Sequence, residues 1–248
     1  MSTDKTDAVV IRLVDFSESS KVVTLFTREF GKVSGLAKGA KRLKSAFELS
    51  IDLLSECRVV LLRKSGSTLD LVTESKLIHR FQPLTGSLSH LYAGYYVAEL
   101  LNALTEEDDP HIELYKFAVH TLKELESTES IFIPVTRFEL ALLREMGQLP
   151  DFDTCTICHS ELHLGDGARF WVSQSGLICS QCGRSEYDST EIHSGTLALL
   201  RKLLGEDDHL VSRLVINERQ KKELRRLVTS AVTYVLGKRP KTLPMLRF

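Results

Sequence analysis

Four of the chain's five cysteines stand in two pairs, Cys155/Cys158 and Cys179/Cys182, each pair with two residues between its members and twenty between the pairs. Two such knuckles, each offering two sulfurs from one tight turn, are the usual way to surround Zn²⁺ with four thiolates. Helical periodicity stops over about 150 to 186, which holds the cysteines and short β-like runs, and Gly165, Gly167, Gly176 and Gly183 permit the sharp turns that two knuckles require. Four thiolates fill a tetrahedral shell and leave no position for water, so the expected Zn²⁺ is structural and not catalytic. His159 and His163 lie close enough in sequence to replace a sulfur, though exposed histidines on a metal loop are the plainer reading. Cys57 sits alone in an apolar run and reads as a buried, inert thiol.

The polar start of the chain, Met1–Thr6, lacks the apolar stretch of a secretory leader, and no apolar run reaches the ~18 residues that span a bilayer. A cytosolic setting is expected, and there paired thiols serve metals more often than disulfides.

Hydrophobic periodicity divides the remainder. From Asp7 to Phe81 five β-branched runs alternate with turn signals: AVVIRLVDF, KVVTLFT, GKVSGLAKGA, CRVVLLRKSG and LDLVTESKLI. Short strands at this spacing suit a small closed barrel, an OB-fold before an SH3-like barrel. KRLKSAFELS, between the third and fourth runs, reads as a connecting loop with a short helix. After Pro83 the period becomes helical, over LSHLYAGYYVAELLNALT, IELYKFAVHTLKELES and PVTRFELALLREMG. It lapses around the cysteines, apart from the β-like ARFWVS, and returns at Ser194–Leu204 and Glu218–Leu236. The fold class is α+β: an N-terminal OB-fold β-barrel over 1–82, then an α-helical domain over 83–248 carrying the four-cysteine zinc module.

The net charge of −1 conceals a strong asymmetry: residues 1–82 carry +4, residues 83–216 carry −12 and residues 217–248 carry +7. Basic ends point to a polyanionic partner. Lys32, Lys38, Lys41, Arg42 and Lys44 fall in one stretch without an acid, where a strand gives way to a glycine-bearing loop. A basic loop at a barrel rim can follow a phosphate backbone and release its counterions; the alternative is a solvated hairpin. Phe16, Phe26, Phe30 and Phe47 are expected in the core and not as base-stacking platforms. The cations Arg219, Lys221, Lys222, Arg225 and Arg226 crowd the N-terminal end of the last helix, with Lys238, Arg239 and Lys241 after it. Positive charge there opposes the helix dipole. These residues either neutralise the acidic middle or contact phosphate.

The sequence has no GxxxxGK[ST], GxGxxG, GxSxG or HExxH, and no proline directly precedes Cys155 or Cys179 as zinc deaminase chemistry would require. With a closed metal site, this favours a binding module over an enzyme. A zinc-dependent enzyme acting on nucleic acid and a protein-only adaptor are the alternatives.

The opening AVVIRLVDFSESSKVVTLFTREFGKVSGLAKGAKRLKS, with Gly39, Ala40, Lys41, Arg42 and then Ser45, resembles the barrel of the bacterial RecO recombination mediators. RFELALLREMGQLPDFDTCTICHSEL is similar to that family's helix leading into its first zinc knuckle, and ICSQCG to the second. The resemblance covers essentially the whole chain. It implies a cytoplasmic, nucleoid-associated, non-catalytic DNA repair and recombination protein that binds single- and double-stranded DNA and anneals complementary strands. It further implies partnership with RecR and with single-stranded-DNA-binding protein, helping to load recombinase at gaps. Lys38, Lys41, Arg42 and Lys44 would contact phosphate. Arg137 and Arg144 would rim an apolar groove in the helical domain that receives the partner's tail.

Overall fold

The computed structural model describes residues 2–42, 45, 47, 50–63, 69–84, 87–205, 211 and 214–248. Two compact units emerge, Met1–Phe138 with Pro240–Arg247, and Glu139–Arg239 with Phe248.

The first unit is built on a closed five-stranded barrel of β1 (Ser2–Asp15), β2 (Lys21–Thr27), β3 (Gly31–Ala37), β4 (Glu56–Arg63) and β5 (Asp70–His79), paired in the order β1-β2-β3-β5-β4. The long β1 makes closure possible because it serves two neighbours. Its first half pairs with β4 from Ser2↔Arg63 to Val9↔Glu56, and its second half with β2 from Ala8↔Thr27 to Asp15↔Lys21. The register slips between Val10 and Arg12, leaving Ile11 as an extra residue that bends the strand from one partner to the other. A parallel β3–β5 pairing, Gly35↔Asp70 to Ala37↔Val72, completes the ring. Val10, Val23, Leu25, Val33, Val59, Leu61 and Val72 fill its interior with Cys57, and Phe47 and Ile51 pack against them from the segment between β3 and β4. The pattern is period 2: along β3, Gly31, Val33, Gly35 and Ala37 are buried while the residues between them are half-buried.

Two differences from the sequence expectation are local. β1 begins at Ser2 and not near Asp7, because Ser2–Asp7 is a polar stave whose pairing with β4 leaves no apolar signature. β3 stops at Ala37, before Gly39 turns the chain at φ +76°. The short helix expected within KRLKSAFELS lies largely outside the described residues.

Helices α1 (Leu88–Leu104), α2 (Ile112–Glu124) and α3 (Phe132–Glu145) follow. A side chain on Gly94 of α1 would meet Leu54 and Phe81 at 2.6 and 2.9 Å, so glycine is what lets α1 lie this close to the barrel. This packing explains why the unit containing the barrel extends well past residue 82. Glu99 of α1 anchors the end of the chain, accepting from the backbone N–H of Lys241 (2.7 Å) and Thr242 (2.9 Å) and from the Thr242 hydroxyl.

The second unit contains a three-stranded sheet in the order β7-β6-β8, from β6 (Ala168–Trp171), β7 (Gly176–Cys179) and β8 (Ser189–Ile192), with helices α4 (Ser194–Leu203) and α5 (Glu218–Leu236). α5 is delimited by its sequence. Asn217 and Gln220 form a reciprocal capping box, and Gly237 closes the helix in the left-handed conformation at φ +69°. Among the described residues no helix is long and apolar enough to cross a membrane.

Candidate nucleic-acid interface and metal centre

The basic loop follows β3 directly and is tied to the β1–β2 turn beside it. The Lys41 backbone N–H donates to the Ser19 carbonyl at 3.0 Å, and the Gly39 N–H reaches the Ser20 hydroxyl at 3.4 Å. The Lys41 ammonium pairs with Asp15 Oδ2 at 3.0 Å and lies 3.4 Å from the Ser17 carbonyl. That hydrogen bond holds the Asp15 carboxyl below its ordinary range. Arg42 N–H closes a turn onto the Gly39 carbonyl at 3.0 Å, and its side chain folds back over Gly39. Lys38 and Arg42 are exposed and have no ion-pair partner among the described residues. Lys44, the fifth expected cation, lies outside the described residues.

Lys32 sits elsewhere and does another job. Its ammonium donates to the Asn102 carbonyl at 2.9 Å and to the Thr105 carbonyl, at the C-terminal end of α1. Those carbonyls carry the negative end of the helix dipole, so Lys32 works as a helix clamp. Its neighbour Gly31 has φ +67°, and a Cβ there would fall 1.9 Å from the Asp109 carbonyl oxygen.

The aromatics also divide. Phe26 and Phe47 are buried, and Phe30 is partly buried with Arg63 over its ring at 5.4 Å, as a core reading expects. Phe16 departs from it: the residue is 62% exposed, just beyond the end of β1.

The candidate metal centre draws on two loops and one strand end. Between Cys155 and Cys158 the chain turns tightly: His159 N–H donates to the Cys155 carbonyl at 2.8 Å, Cys155 N–H donates to the Ser160 carbonyl at 2.9 Å, and His159 takes the left-handed conformation at φ +58°. Thr156 bonds the Leu177 carbonyl through its N–H (2.8 Å) and hydroxyl (2.9 Å), which locks the first knuckle to β7. Cys179 ends β7, and Cys182 and Gly183 N–H both return to the Cys179 carbonyl at 3.2 Å. The result brings all four sulfurs within 4.8 Å of one another, with Cys158 and Cys179 Sγ 3.9 Å apart. A tetrahedral site with metal–sulfur bonds of ~2.3 Å has sulfur–sulfur edges of about 3.8 Å. The four thiols therefore fit a metal ion; neither His159 nor His163 belongs to the cluster.

Protons are unevenly held by so tight a group. The Cys158 thiol is drawn down to about 6, first by its hydrogen bond with the Ser160 hydroxyl. Cys182 is pushed up to about 12 by the sulfurs around it, Cys158 first. For Cys155 burial opposes ionisation, but the N–H groups of Cys158, Cys179 and Ile157 outweigh it and hold the thiol below its usual value. Cys57 is apart from all this, buried in the barrel and pushed up to about 11 by desolvation.

One supporting residue gave no signal in the sequence. Arg201 of α4 donates to the carbonyls of Phe152 (3.0 Å) and Leu162 (2.8 Å) and pairs with Asp153 at 2.8 Å, clasping the first knuckle from both flanks. Only the fold brings it there, since helix arginines look alike in one dimension.

The cations of α5 turn out to be largely committed. Arg225 forms a two-pronged ion pair with the fully buried Glu139, one prong at 3.0 Å, and stacks under Phe248 at 3.9 Å. Arg219 pairs with Glu223 and Lys221 with Glu218, both at 2.8 Å, and Arg226 reaches the Thr190 hydroxyl. Arg137 is only 5% exposed and lies over the Phe117 ring at 5.5 Å, which removes it as a rim residue. Arg144 is exposed and donates to the Leu204 carbonyl at 2.8 Å.

Comparison with known proteins accords with this arrangement. Residues 1–81 match the family described as "Recombination protein O N terminal", and residues 86–244 the one described as "Recombination protein O C terminal". A "DNA repair protein RecO" of Rhodopirellula baltica is 40% identical over 202 residues, spanning 81% of this chain and 75% of its own length. Proteins of the same name from Anaeromyxobacter dehalogenans (32% over 204 residues; 82% and 80%) and Dehalococcoides mccartyi (29% over 239 residues; 96% and 93%) are also similar. The two matched segments together account for nearly the whole sequence, so the chain belongs to the RecO family of DNA repair proteins.

Proposed function

We propose that this chain is a non-catalytic recombination mediator that grips the sugar–phosphate backbone of DNA with the rim of its barrel. The observation that carries the reading is the pair of exposed cations Lys38 and Arg42, without an ion-pair partner among the described residues and set with Lys41 on a loop pinned to the β1–β2 turn. On this reading the barrel, residues 1–82, binds DNA and the helical part, residues 83–248, supports it; the period changes at Pro83, while the first helices pack with the barrel in one compact unit. Backbone cations without base-edge readers give sequence-tolerant, salt-sensitive binding to single and double strands. A surface of that kind can hold two complementary strands together while they anneal. Membership of the family supports RecR and single-stranded-DNA-binding protein as partners, and loading of recombinase at gaps in the bacterial nucleoid as the setting.

Cys155, Cys158, Cys179 and Cys182 would hold a structural Zn²⁺. The ion would add local folding energy to the module, and four thiolates leave it no open position. Changing Lys38, Lys41 and Arg42 together to Glu should abolish oligonucleotide binding in a low-salt gel shift while leaving the circular dichroism spectrum unaltered. Unchanged affinity would overturn the reading. A zinc content of one per chain, with sulfur-only coordination by X-ray absorption, is the matching expectation for the clasp.

A further inference from the structure

We propose that the ring of Phe16 is a stacking platform for one unpaired DNA base, so that the barrel rim discriminates single strands from paired ones. The inference rests on the DNA-binding reading above and adds to it a residue and a selectivity that phosphate contacts alone do not supply. Phe16 is the residue at which β1 gives way to the β1–β2 turn, and Val14, two positions back and so on the same side of the strand, is 42% exposed. A phenylalanine 62% open to water contributes little to the barrel core, and turns ordinarily recruit small polar residues.

Its surroundings give the exposure a use. Phe16 N–H and Ser17 N–H both donate to the Ser20 carbonyl, at 3.1 and 3.3 Å, and Ser20 N–H returns to the Ser17 hydroxyl at 3.2 Å. The turn is therefore a closed, preorganised ring of bonds. The residues on either side of Phe16, Asp15 and Ser17, both contact the Lys41 ammonium. A cation is thereby fixed within a residue of the aromatic, and Arg42 follows it on the same loop. Glu18 is the turn's other acid, with Lys21 at the start of β2. An aromatic face beside a cationic track is the chemistry that takes an unpaired base and its flanking phosphates. In duplex DNA the base faces are already stacked, and a ring reaches one only by unstacking a step, a cost that an unpaired base does not exact.

The test compares Phe16→Ala, Phe16→Tyr and the double variant Lys38→Glu/Arg42→Glu by fluorescence anisotropy. Three probes are used: a thymidine 25-mer, an abasic strand of the same length and a 25-base-pair duplex. Base–aromatic stacking predicts that Phe16→Ala weakens the thymidine strand by about five- to hundredfold. The abasic strand and the duplex should be unaffected, the salt slope unchanged and the tyrosine variant near wild type. The double variant should weaken all three probes. If Phe16→Ala acts equally on all probes, or on none, while the double variant abolishes binding, the platform is refuted and the phosphate grip stands. If neither variant changes any affinity, both are refuted. Because Phe16 packs little, its replacement should leave the melting temperature unchanged, and a large drop would reassign the ring to structure.

Discussion

Replacing Asp15 with asparagine should make the protein bind single-stranded DNA more tightly, because it frees Lys41 although Asp15 itself makes no proposed contact to the strand. The Asp15 carboxylate sits 3.0 Å from the Lys41 ammonium and is held ionised, below its ordinary range, by that hydrogen bond. At neutral pH it therefore cancels one of the three described cations of the loop and leaves Lys38 and Arg42 as the two free charges. On single strands each cation that displaces a counterion contributes about −0.7 to the slope of log affinity against log salt. Freeing Lys41 should steepen the slope by about 0.7, which over a fourfold change in salt is about a threefold larger loss of affinity. Removing Lys38 and Arg42 together by alanine should flatten it by about 1.4, about sevenfold over the same step. Differences between variants are the right quantity, because contacts elsewhere on the surface enter each slope equally. The assay is anisotropy of a labelled thymidine 25-mer from about 50 to about 200 mM KCl, the range over which such losses are large. If Asp15→Asn leaves the slope unchanged or flattens it, or if the double alanine variant keeps the wild-type slope, the loop is not where phosphates are neutralised.

Lys32→Met separates the helix clamp from the DNA grip. It removes the cation from two carbonyls at the end of α1, should cost about 1–2 kcal/mol of stability by urea unfolding, and should leave the salt slope as it was. Arg225→Met removes the two-pronged cationic partner of the buried Glu139 carboxylate and should cost about 3–5 kcal/mol, whereas Arg225→Met with Glu139→Leu should recover most of that; a double variant as unstable as the single would mean that the pair's charges are not what matters. Glu99 is held below its ordinary value because, against the opposing effect of burial, the Thr242 hydroxyl and the N–H groups of Lys241 and Thr242 favour its charged form. Its contribution is therefore complete above the ordinary carboxylate range and lost as pH falls through the lowered value, so limited proteolysis should release the 240–248 segment in acid, and at neutral pH in Glu99→Gln. Metal binding to four thiolates competes with protons, so zinc retention should weaken as pH falls, and a chelator should unfold the β6–β8 sheet before the barrel; simultaneous loss of both by hydrogen exchange would contradict a local role for the clasp.

Much of this protein is written along the chain. The cysteine spacing marks the four-thiol cluster because two tight turns can be recognised without knowing what lies between them. The change of period at Pro83 separates barrel from helices because strands and helices bury every second residue and roughly every third or fourth. Asn217, Gln220 and Gly237 bound α5 through bonds made within a few residues. Each of these signals is local, and local geometry is set by neighbours in sequence. What only the tertiary structure decided depends on residues far apart. The identical charges of Lys32 and Arg42 were divided by the arrival of the α1 carbonyls, 70 and 73 positions downstream, at one of them. Arg225 was drawn inward by Glu139, Arg201 was laid across the first knuckle, and Phe16, alone among four similar phenylalanines, was left outside. A side chain's type fixes what it can do, but its burial and its partners are set by where the rest of the chain happens to pass.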